Sequence, residues 1–410
     1  MNFTPTRARA QARLTEFLPA AGHRYADTRN HDDGPADGGR GNVSQLSPWL
    51  HAGLISETEV LETVLGAHSP RAAEKFIAEV FWRVYFKGYL EQRPAIWSDY
   101  CADRNAALAA LERNAGLRIA YSQAVEGRTG IEAFDIWAQE LVTTGYLHNH
   151  ARMWFASIWT FTLKLDWRLG ADFFLRHLMD GDAASNTLSW RWVAGLHTKG
   201  KHYLARPDNI ARHTAGRPEG ALSAEGLVDE AEPLEEPQDY PRQKLDLPAP
   251  VTTTDLAQPF ALLLHDEAAH HAPLTLPAAP ALVIGAARPL ARSQGDIGTL
   301  AATFAEGAVV SGMAEAAAEF GCPAAELRAG EPLAAMLDAA GISRLALPYL
   351  PTGWTRDALW PDLAALIAQG RVVTLLSDLD RATWPHAKAG FFGVAKAIED
   401  VLRECAIGGG

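Results

Sequence analysis

The chain has few cysteines, and their positions exclude several kinds of protein. Of 410 residues only three are cysteine, Cys101, Cys322 and Cys405. They are scattered and odd in number, so they indicate neither a disulfide framework nor a metal-binding spacing, and an iron–sulfur cluster held by four cysteines is excluded. This usage is typical of a reduced compartment, and we expect a cytoplasmic protein.

The chain also lacks segments that would direct it to a membrane. Its first 21 residues, MNFTPTRARAQARLTEFLPAA, carry charges where a signal peptide needs an apolar core. The longest strongly apolar run, MWFASIWTFTL at 153–163, is too short to cross a bilayer. We therefore expect no secretion signal and no membrane contact, and we interpret residues 153–163 as a buried helix.

Motifs for phosphate and dinucleotide binding are missing as well. No GxGxxG or GxxxxGK[ST] pattern follows a predicted strand, and neither half shows a tandem repeat. The net charge of −12 is unevenly distributed, because residues 1–213 have 24 Lys+Arg against 23 Asp+Glu and the remainder has 13 against 26. If the protein contacts nucleic acid, the first half is the expected face, although this balance alone does not argue for nucleic acid.

Changes in composition and in the pattern of apolar residues along the chain predict two domains joined by a linker. Residues 1–213 read as helical, and residues 214–258 are acidic and proline-rich, which indicates an extended linker. From 259 to 410, short apolar runs alternate with alanine-rich segments, which is typical of an α/β domain with a mainly parallel sheet. The predicted strands lie at 260–264, 281–285, 308–310, 344–350 and 371–376.

Three local predictions concern the helical part. Ser69 and Pro70 have the residue types expected at the start of a long helix through Leu90. Residues 149–165 form a second long apolar helix, and residues 27–41 are too rich in glycine and aspartate to be anything but a loop.

Tryptophan is concentrated in one stretch of the chain. Five of the twelve tryptophans fall within 39 residues: Trp154, Trp159, Trp167, Trp190 and Trp192. A core alone accommodates such a cluster, but stacked aromatic rings also suit a planar cofactor, electron transfer or extrahelical bases. Trp190 and Trp192 are two residues apart and therefore face different directions in a helix or a strand.

Polar residues accompany this cluster at helical spacing. Glu79, Trp82 and Arg83 share one helix face, which fits either a surface ion pair over an indole ring or a binding site. Asn149 and Met153 also share a face, and a polar group in an apolar helix needs a partner.

Two stretches with carboxylate side chains each allow two interpretations. Asp180 and Asp182 fit a loop, or a site for a cation or a ligand donor. The stretch HDEAAHH at 265–271 has the composition of a metal site but no defined ligand geometry, and we predict no metal there.

Four segments in order resemble the FAD-binding helical domain of the DNA photolyase and cryptochrome family. YADTRN…GNVSQLSPWL resembles its tyrosine and T-S-x-L-S-P segment, and AEKFIAEVFWRVYF its E-L-x-W-R-E-F-Y helix. EGRTGIEAFDIWAQELVTTGYLHNHARM resembles its G-x-T-G…W-M-H-N-R-x-R-M segment. LDWRLGADFFLRHLMDGDAASNTLSWRW resembles its I-D-W-R…D-G-D-L-A-S-N-N-x-x-W-Q-W segment.

The resemblance implies a set of residues around FAD. The predicted FAD contacts are Tyr25, Ser44, Gln45, Leu46, Ser47, Arg83, Asn149, Arg152, Asp180, Asp182 and Asn186. Of these, Tyr25 and the 44–47 segment would hold the pyrophosphate, Arg152 and Asp180 would pair beside the flavin ring, and Asn186 would stand at flavin N5. Trp190 and Trp167 match the inner and middle tryptophans of the electron-transfer chain. Trp97 is the candidate for the outermost member.

The resemblance also implies a substrate and an activity. Glu79, Trp82, Asn149, Met153 and Trp192, together with Asn186, match the positions that act on a flipped-out cyclobutane pyrimidine dimer in ultraviolet-damaged DNA. The branch that repairs 6–4 photoproducts has histidines in place of Asn149 and Met153. The chain is therefore expected to be a light-driven carbon–carbon lyase that repairs cyclobutane dimers. The alternative is a cryptochrome-like blue-light photoreceptor without repair activity.

The sequence departs from the family in its domain order. The family's α/β antenna domain normally comes first, whereas here the α/β part follows the helical part. Residues 260–274 and 328–347 faintly resemble that antenna domain, so a permuted antenna domain with a second, unknown chromophore is a possibility that the sequence leaves open. Val43 stands where threonine is usual. We expect a monomer.

Overall fold

The computed structural model describes residues 3–35 and 40–408. The first part is helical and has no strand within the described residues. Its helices are α1 (Arg7–Phe17), α2 (His23–Thr28), α3 (Ser47–His51), α4 (Glu57–Ala67), α5 (Pro70–Glu91), α6 (Ala95–Arg113), α7 (Ala115–Val125), α8 (Glu132–Thr144), α9 (Asn149–Ser157), α10 (Trp167–His177), α11 (Ala183–Ala194) and α12 (Pro207–Thr214).

Helix α5 begins where the sequence predicts. The Ser69 hydroxyl accepts a hydrogen bond from the Ala72 amide, and Pro70 occupies the first turn, where its missing N–H costs nothing. The helix runs for 22 residues and buries one apolar face. The predicted start of the helix that carries Glu79 and Trp82 is confirmed.

The predicted helix at 149–165 is confirmed as far as Thr162, although its second half is not α-helical. Helix α9 ends at Ser157 and continues as one π-helical turn over Ile158–Thr162. The wider turn closes with the Leu163 amide bonded to the Ile158 carbonyl, and beyond it the Trp159 indole N–H donates to the Asp166 carbonyl at 2.9 Å. A side-chain contact specific to Trp159 thus accompanies the change in helix geometry.

The predicted loop at 27–41 is mostly correct, although α2 extends to Thr28. Residues 36–39 of that loop lie outside the described residues. The predicted linker at 214–258 contains no helix or strand beyond Thr214, the last residue of α12. It is fastened to the helical part, because Leu222 and Ala224 are buried in its core and the Leu234 amide donates to the Ala194 carbonyl. The domain boundaries themselves remain a prediction.

A five-stranded parallel sheet forms the second part. Its elements are β1 (Phe260–His265), β2 (Leu282–Ala286), α13 (Thr299–Phe320), β3 (Ala324–Glu326), α14 (Leu333–Ala339), β4 (Arg344–Pro348), α15 (Trp354–Ala368), β5 (Val372–Leu375), α16 (Asp378–Thr383) and α17 (Phe392–Glu404). The strand order is β3-β2-β1-β4-β5. In register, Leu263 pairs with Ile284 and Leu262 with Ala346, so apolar side chains of the central strand are covered on both faces.

One predicted strand is a helix. Residues 308–310 lie inside α13, where Val309 is buried and Val310 is exposed. The surrounding alanines favour a helix, and three apolar residues are too few to reveal a period of two. The edge strand β3 was not predicted, since its three residues are mostly exposed and form no apolar run.

The two parts share a hydrophobic core. Helices α16 and α17 pack on α5, and the Trp384 ring lies directly over Gly88, where a β-carbon would come within 2.6 Å of Trp384 Cδ1. Residues from α1 to α5 and from α17 bury their apolar side chains in the same cluster. Among the described residues, no helix has the length and apolar character needed to span a membrane.

Candidate functional site

One cavity of about 480 Å³ lies between α2, the 43–47 loop, α5, α9 and α11. That volume is in the range of small-molecule sites. It is lined by every predicted site residue except Trp167 and the candidate Trp97, namely Tyr25, Ser44, Gln45, Leu46, Ser47, Glu79, Trp82, Arg83, Asn149, Arg152, Met153, Asp180, Asp182, Asn186, Trp190 and Trp192. The four sequence segments therefore converge in space.

An ion pair marks the inner end of the cavity. The Arg152 guanidinium donates to Asp180 Oδ2 at 2.9 Å, and Asp180 Oδ1 is buried without a partner among the described residues. Burial alone would raise the pKa of Asp180, but Arg152 outweighs it and holds the pKa below its usual value. The pair is charged and keeps one carboxylate oxygen available to a ligand donor.

A second carboxylate, Asp182, belongs to a denser charge cluster. It caps α11 by accepting from the Ser185 amide, and its other oxygen lies 3.5 Å from Arg83 and 3.8 Å from Lys87. Burial opposes ionisation, but Arg83 and the neighbouring groups hold the pKa of Asp182 well below its usual range. Lys87 also binds Glu267 at 3.0 Å.

Glu267 ties the HDEAAHH stretch to this cluster. Atoms of His51, Asp182 and Glu267 lie within 4.8 Å of one another, a distance compatible with a metal site. Lys87 and Arg83 already neutralise these carboxylates, which disfavours a metal ion at that place. The histidines at 270 and 271 instead face Glu315 and Glu319 on α13.

Asn186 is fixed by the neighbouring helix. Its amide nitrogen donates to the Ala171 carbonyl at 2.8 Å. That bond orients the side chain at the cavity wall and leaves the amide oxygen as its acceptor for a ligand.

The ion pair that the spacing on α5 allows between Glu79 and Arg83 does not form. Arg83 binds Glu57 at 2.7 Å, and Glu79 pairs with Arg29 from the end of α2. Burial raises the pKa of Glu79, and Arg29 opposes that shift only in part. Glu79 is therefore easier to protonate than an ordinary glutamate, while it lines the cavity.

Two indole rings face the cavity with a second ring behind each. Trp82 stacks on Phe391 with ring centroids 4.0 Å apart, and Trp192 stacks on Tyr203 at 5.8 Å. Phe391 and Tyr203 do not line the cavity. Each tryptophan is held by aromatic packing on one side.

The 40–47 loop is held by a residue that the sequence did not single out. Buried Arg13 on α1 donates to the carbonyls of Ser44, Arg40 and Val43 at 2.6–2.9 Å. Gln45 has a positive φ of 55°, and its side-chain oxygen accepts from the Arg40 amide. Three bonds from one guanidinium fix this loop, and no local sequence pattern links Arg13 to it.

The tryptophans lie in two groups. Trp190 packs against Phe174 at 5.1 Å and Trp159 at 6.2 Å, and its indole N–H is buried without a partner among the described residues. Trp167 lies outside the main cavity, at the start of α10, and lines a second cavity. The close approach of the Trp190 ring to Gly170 brings it within one helical turn of Trp167.

Trp97 is connected to Trp167 through the ring of Tyr100. Tyr100 is 5.7 Å from Trp167 and 5.4 Å from Trp97, measured between ring centroids. Trp97 is buried, and its indole N–H donates to Asp357 of α15 at 2.7 Å. An aromatic series therefore runs from Trp167 through Tyr100 to Trp97.

The cavity combines polar side chains, a charged pair and aromatic walls, which are the groups expected around a flavin dinucleotide. Its unpartnered buried atoms, Asp180 Oδ1 and Trp190 Nε1, offer an acceptor and a donor. The helical part and this cavity are therefore consistent with the flavin-binding domain that the sequence resemblance predicts.

Comparison with known proteins agrees with this class. The family model described as "FAD binding domain of DNA photolyase" matches residues 76–216. Residues 76–216 are therefore similar to the FAD-binding domain of DNA photolyases.

Individual relatives match part of the chain. A deoxyribodipyrimidine photo-lyase of Streptomyces griseus is 34% identical over 258 residues, which are 60% of this chain and 52% of that protein. One from Thermus thermophilus is 32% identical over 216 residues, 53% of this chain and 49% of that protein. The chain spans about half the length of these curated relatives. A solved cryptochrome from Synechocystis is 23% identical with a TM-score of 0.42, covering 51% of this chain and 43% of that one.

Proposed function

We propose that this protein binds FAD and uses light to split cyclobutane pyrimidine dimers in DNA. The observation that carries the proposal is the single cavity: residues expected at the flavin and residues expected at the lesion line the same space. A cofactor and a substrate bound there would be neighbours, as direct electron transfer requires.

The flavin end of the cavity has the chemistry for a dinucleotide. The hydroxyls of Tyr25, Ser44 and Ser47 line the side held by Arg13 and can replace water around a pyrophosphate. Arg152, Asp180 and Asn186 would contact the ring system. Bound FAD, when reduced and excited by light, supplies the electron.

The other end has the chemistry for a flipped-out pyrimidine dimer. Moving a dimer out of the duplex costs a few kcal/mol, which stacking on Trp82 and Trp192 would partly offset. Asn149 can form hydrogen bonds with the pyrimidine edges. Glu79 can accept a hydrogen bond when it is ionised and donate one when it is protonated, and burial favours the protonated form because it raises the pKa. These groups would stabilise negative charge that develops on the lesion.

A cryptochrome-like photoreceptor is the second candidate function. It is favoured by the nearly neutral charge of residues 1–213, 24 Lys+Arg against 23 Asp+Glu, since phosphate contacts normally need clustered cations. It is also favoured by the ion pair that engages Glu79 with Arg29. A photoreceptor would retain the flavin and Trp190 but would need no lesion contacts.

The test is light-dependent loss of dimers from an ultraviolet-irradiated oligonucleotide, measured with Glu79→Gln. The loss of a charged or proton-donating hydrogen bond predicts a repair yield lower by roughly ten-fold or more. The flavin absorption spectrum should stay unchanged. Glu62→Gln, an exposed glutamate on α4, is the matched control and should repair normally.

The outcomes separate the two candidates. Normal repair by Glu79→Gln would refute its role at the lesion. A wild-type flavoprotein that undergoes photoreduction but removes no dimers would refute repair and support the photoreceptor.

A further inference from the structure

A short segment near the end of the chain lies against the cavity without lining it. We name residues 384–396 the rim segment. Its Phe391 ring stacks on Trp82 at 4.0 Å, with only 12° between the ring planes. The rim segment is thus in direct contact with a tryptophan of the cavity wall.

Side chains of α5 and of the two residues directly after it form hydrogen bonds with the backbone of the rim segment. Gln92 Nε2 donates to the carbonyls of Trp384 and Ala387, both at 3.0 Å. Arg93 donates to the Lys388 carbonyl at 2.6 Å, and the Tyr85 hydroxyl donates to the Ala389 carbonyl at 2.7 Å. Four bonds, one from α5 and three from the two residues directly after it, therefore fix the position of this segment.

The residue after Phe391 faces the other way. Phe392 is 71% exposed, the largest exposure among the large apolar side chains of the described residues. The Lys396 ammonium lies over its ring, 4.3 Å from the centroid. A solvent-facing aromatic ring beside a cation has the composition of a surface that stacks bases and binds phosphate.

The charge of the rim segment is unlike that of its surroundings. Residues 214–410 have 13 Lys+Arg against 26 Asp+Glu, yet the rim segment, residues 384–396, has Lys388 and Lys396 and no acidic residue. Lys388 and Lys396 are both exposed. The acidic half thus presents a cationic surface at the place where it meets Trp82.

We propose that the rim segment is a DNA-binding element supplied by the C-terminal part of the chain. Phe392 stacks on bases next to the flipped-out dimer, and Lys388 and Lys396 bind phosphates of the same strand. The proposal rests on the proposed function, because the cavity beside the segment must receive a base. It places the DNA grip on a different half of the chain from the one that charge balance favours.

The test measures binding by the flavin-loaded full chain in the dark. The probe is a fluorescein-labelled duplex with one cyclobutane thymine dimer, compared by anisotropy with the undamaged duplex. Loss of a stacked base predicts that Phe392→Ala weakens binding to the damaged duplex by about five-fold or more. Binding to the undamaged duplex should change little.

The lysines give a different signature. Lys388→Ala and Lys396→Ala should each weaken binding to both duplexes and reduce the slope of log affinity against log salt by about one. Leu290→Ala, with 70% exposure, and Arg328→Ala, with 72% side-chain exposure, are matched controls outside the segment and should bind normally.

The result distinguishes this proposal from the proposed function. If the wild type binds and repairs the damaged duplex and Phe392→Ala binds as well as Leu290→Ala, the rim segment is not a DNA contact and the repair function stands. If the wild type does not bind the damaged duplex, both proposals are wrong. Because Phe392 is exposed, its truncation should leave the melting temperature unchanged, which a thermal scan checks.

Discussion

Gly170 on α10 is the most sharply constrained position beside the tryptophans. A β-carbon there would lie 2.6 Å from Cζ3 of Trp190 and 2.9 Å from Cε2 of Trp159. Carbon atoms without a bond between them do not approach so closely, so Gly170→Ala must displace at least one indole ring. Trp190 lines the cavity, which makes the substitution a probe of the site as well as of the core.

The size of the effect follows from the packing. Trp190 is 2% exposed, and Phe155 and Phe174 pack against it, so the ring has little room to move. Overpacking of this kind costs about 1–3 kcal/mol, and full burial places it at the upper end. Alanine regains up to about 1 kcal/mol of helix propensity, so we expect a net loss near 2 kcal/mol in the free energy of unfolding.

Urea unfolding monitored by tryptophan fluorescence and flavin absorbance measures this effect. Gly66→Ala is the control, since Gly66 lies in α4 with no atom within 4 Å of its would-be β-carbon, and it should be neutral or stabilising. Gly170→Ala should also reduce flavin content or slow photoreduction. Equal stability and an unaltered flavin spectrum in both variants would refute the close approach of α10 to Trp190.

Two further predictions concern buried charges. Arg217 bridges Asp32 at 2.6 Å and Glu140 at 2.9 Å, so Arg217→Met should lower the free energy of unfolding in urea by about 3–5 kcal/mol. Arg212→Met, in an exposed ion pair, is the control and should lower it by less than about 1 kcal/mol. Similar losses in both variants would show that the buried network stabilises the fold no more than an exposed pair does. Burial raises the pKa of Asp266 to about 7, against about 4 in an unfolded chain, so the native state binds more protons between these values and stability should fall as pH rises from 4 to 7, by up to the order of 4 kcal/mol. Asp266→Asn should remove this fall, and a pH series of melting curves that is identical in both proteins would contradict it.

Local patterns in the sequence predicted what depends on neighbours along the chain. The cap at Ser69 marks the start of α5, and helical spacing predicts that Glu79 and Trp82 share one face of that helix. In the structure this face lines the cavity. The same holds for Asn149 and Met153 on α9. Strand positions followed from apolar runs wherever the strand was buried on both faces.

Contacts between distant segments had no such signal. Arg29, Arg13 and Phe391 reach the site from loops and helices whose local sequence predicts nothing about their partners. The apolar run at 308–310 was misleading because it lies in a helix, in which Val309 packs against the sheet at Gly285 and Val310 is exposed. Glu267 was noticed as part of a metal-like stretch, but its actual partner, Lys87, lies 180 residues earlier.

The contact between α5 and the rim segment has a consequence for how the protein is made. The bond from Tyr85 to Ala389 joins residues 304 positions apart. At about 5–20 residues per second of synthesis, the segment leaves the ribosome roughly 15–60 s after α5. During that interval Trp82 and the Gly88 face of the nascent helix lack their cover. The packing behind Trp82 is therefore completed only after residues 384–396 have emerged, and chaperones that shield apolar helices have a defined window in which to act.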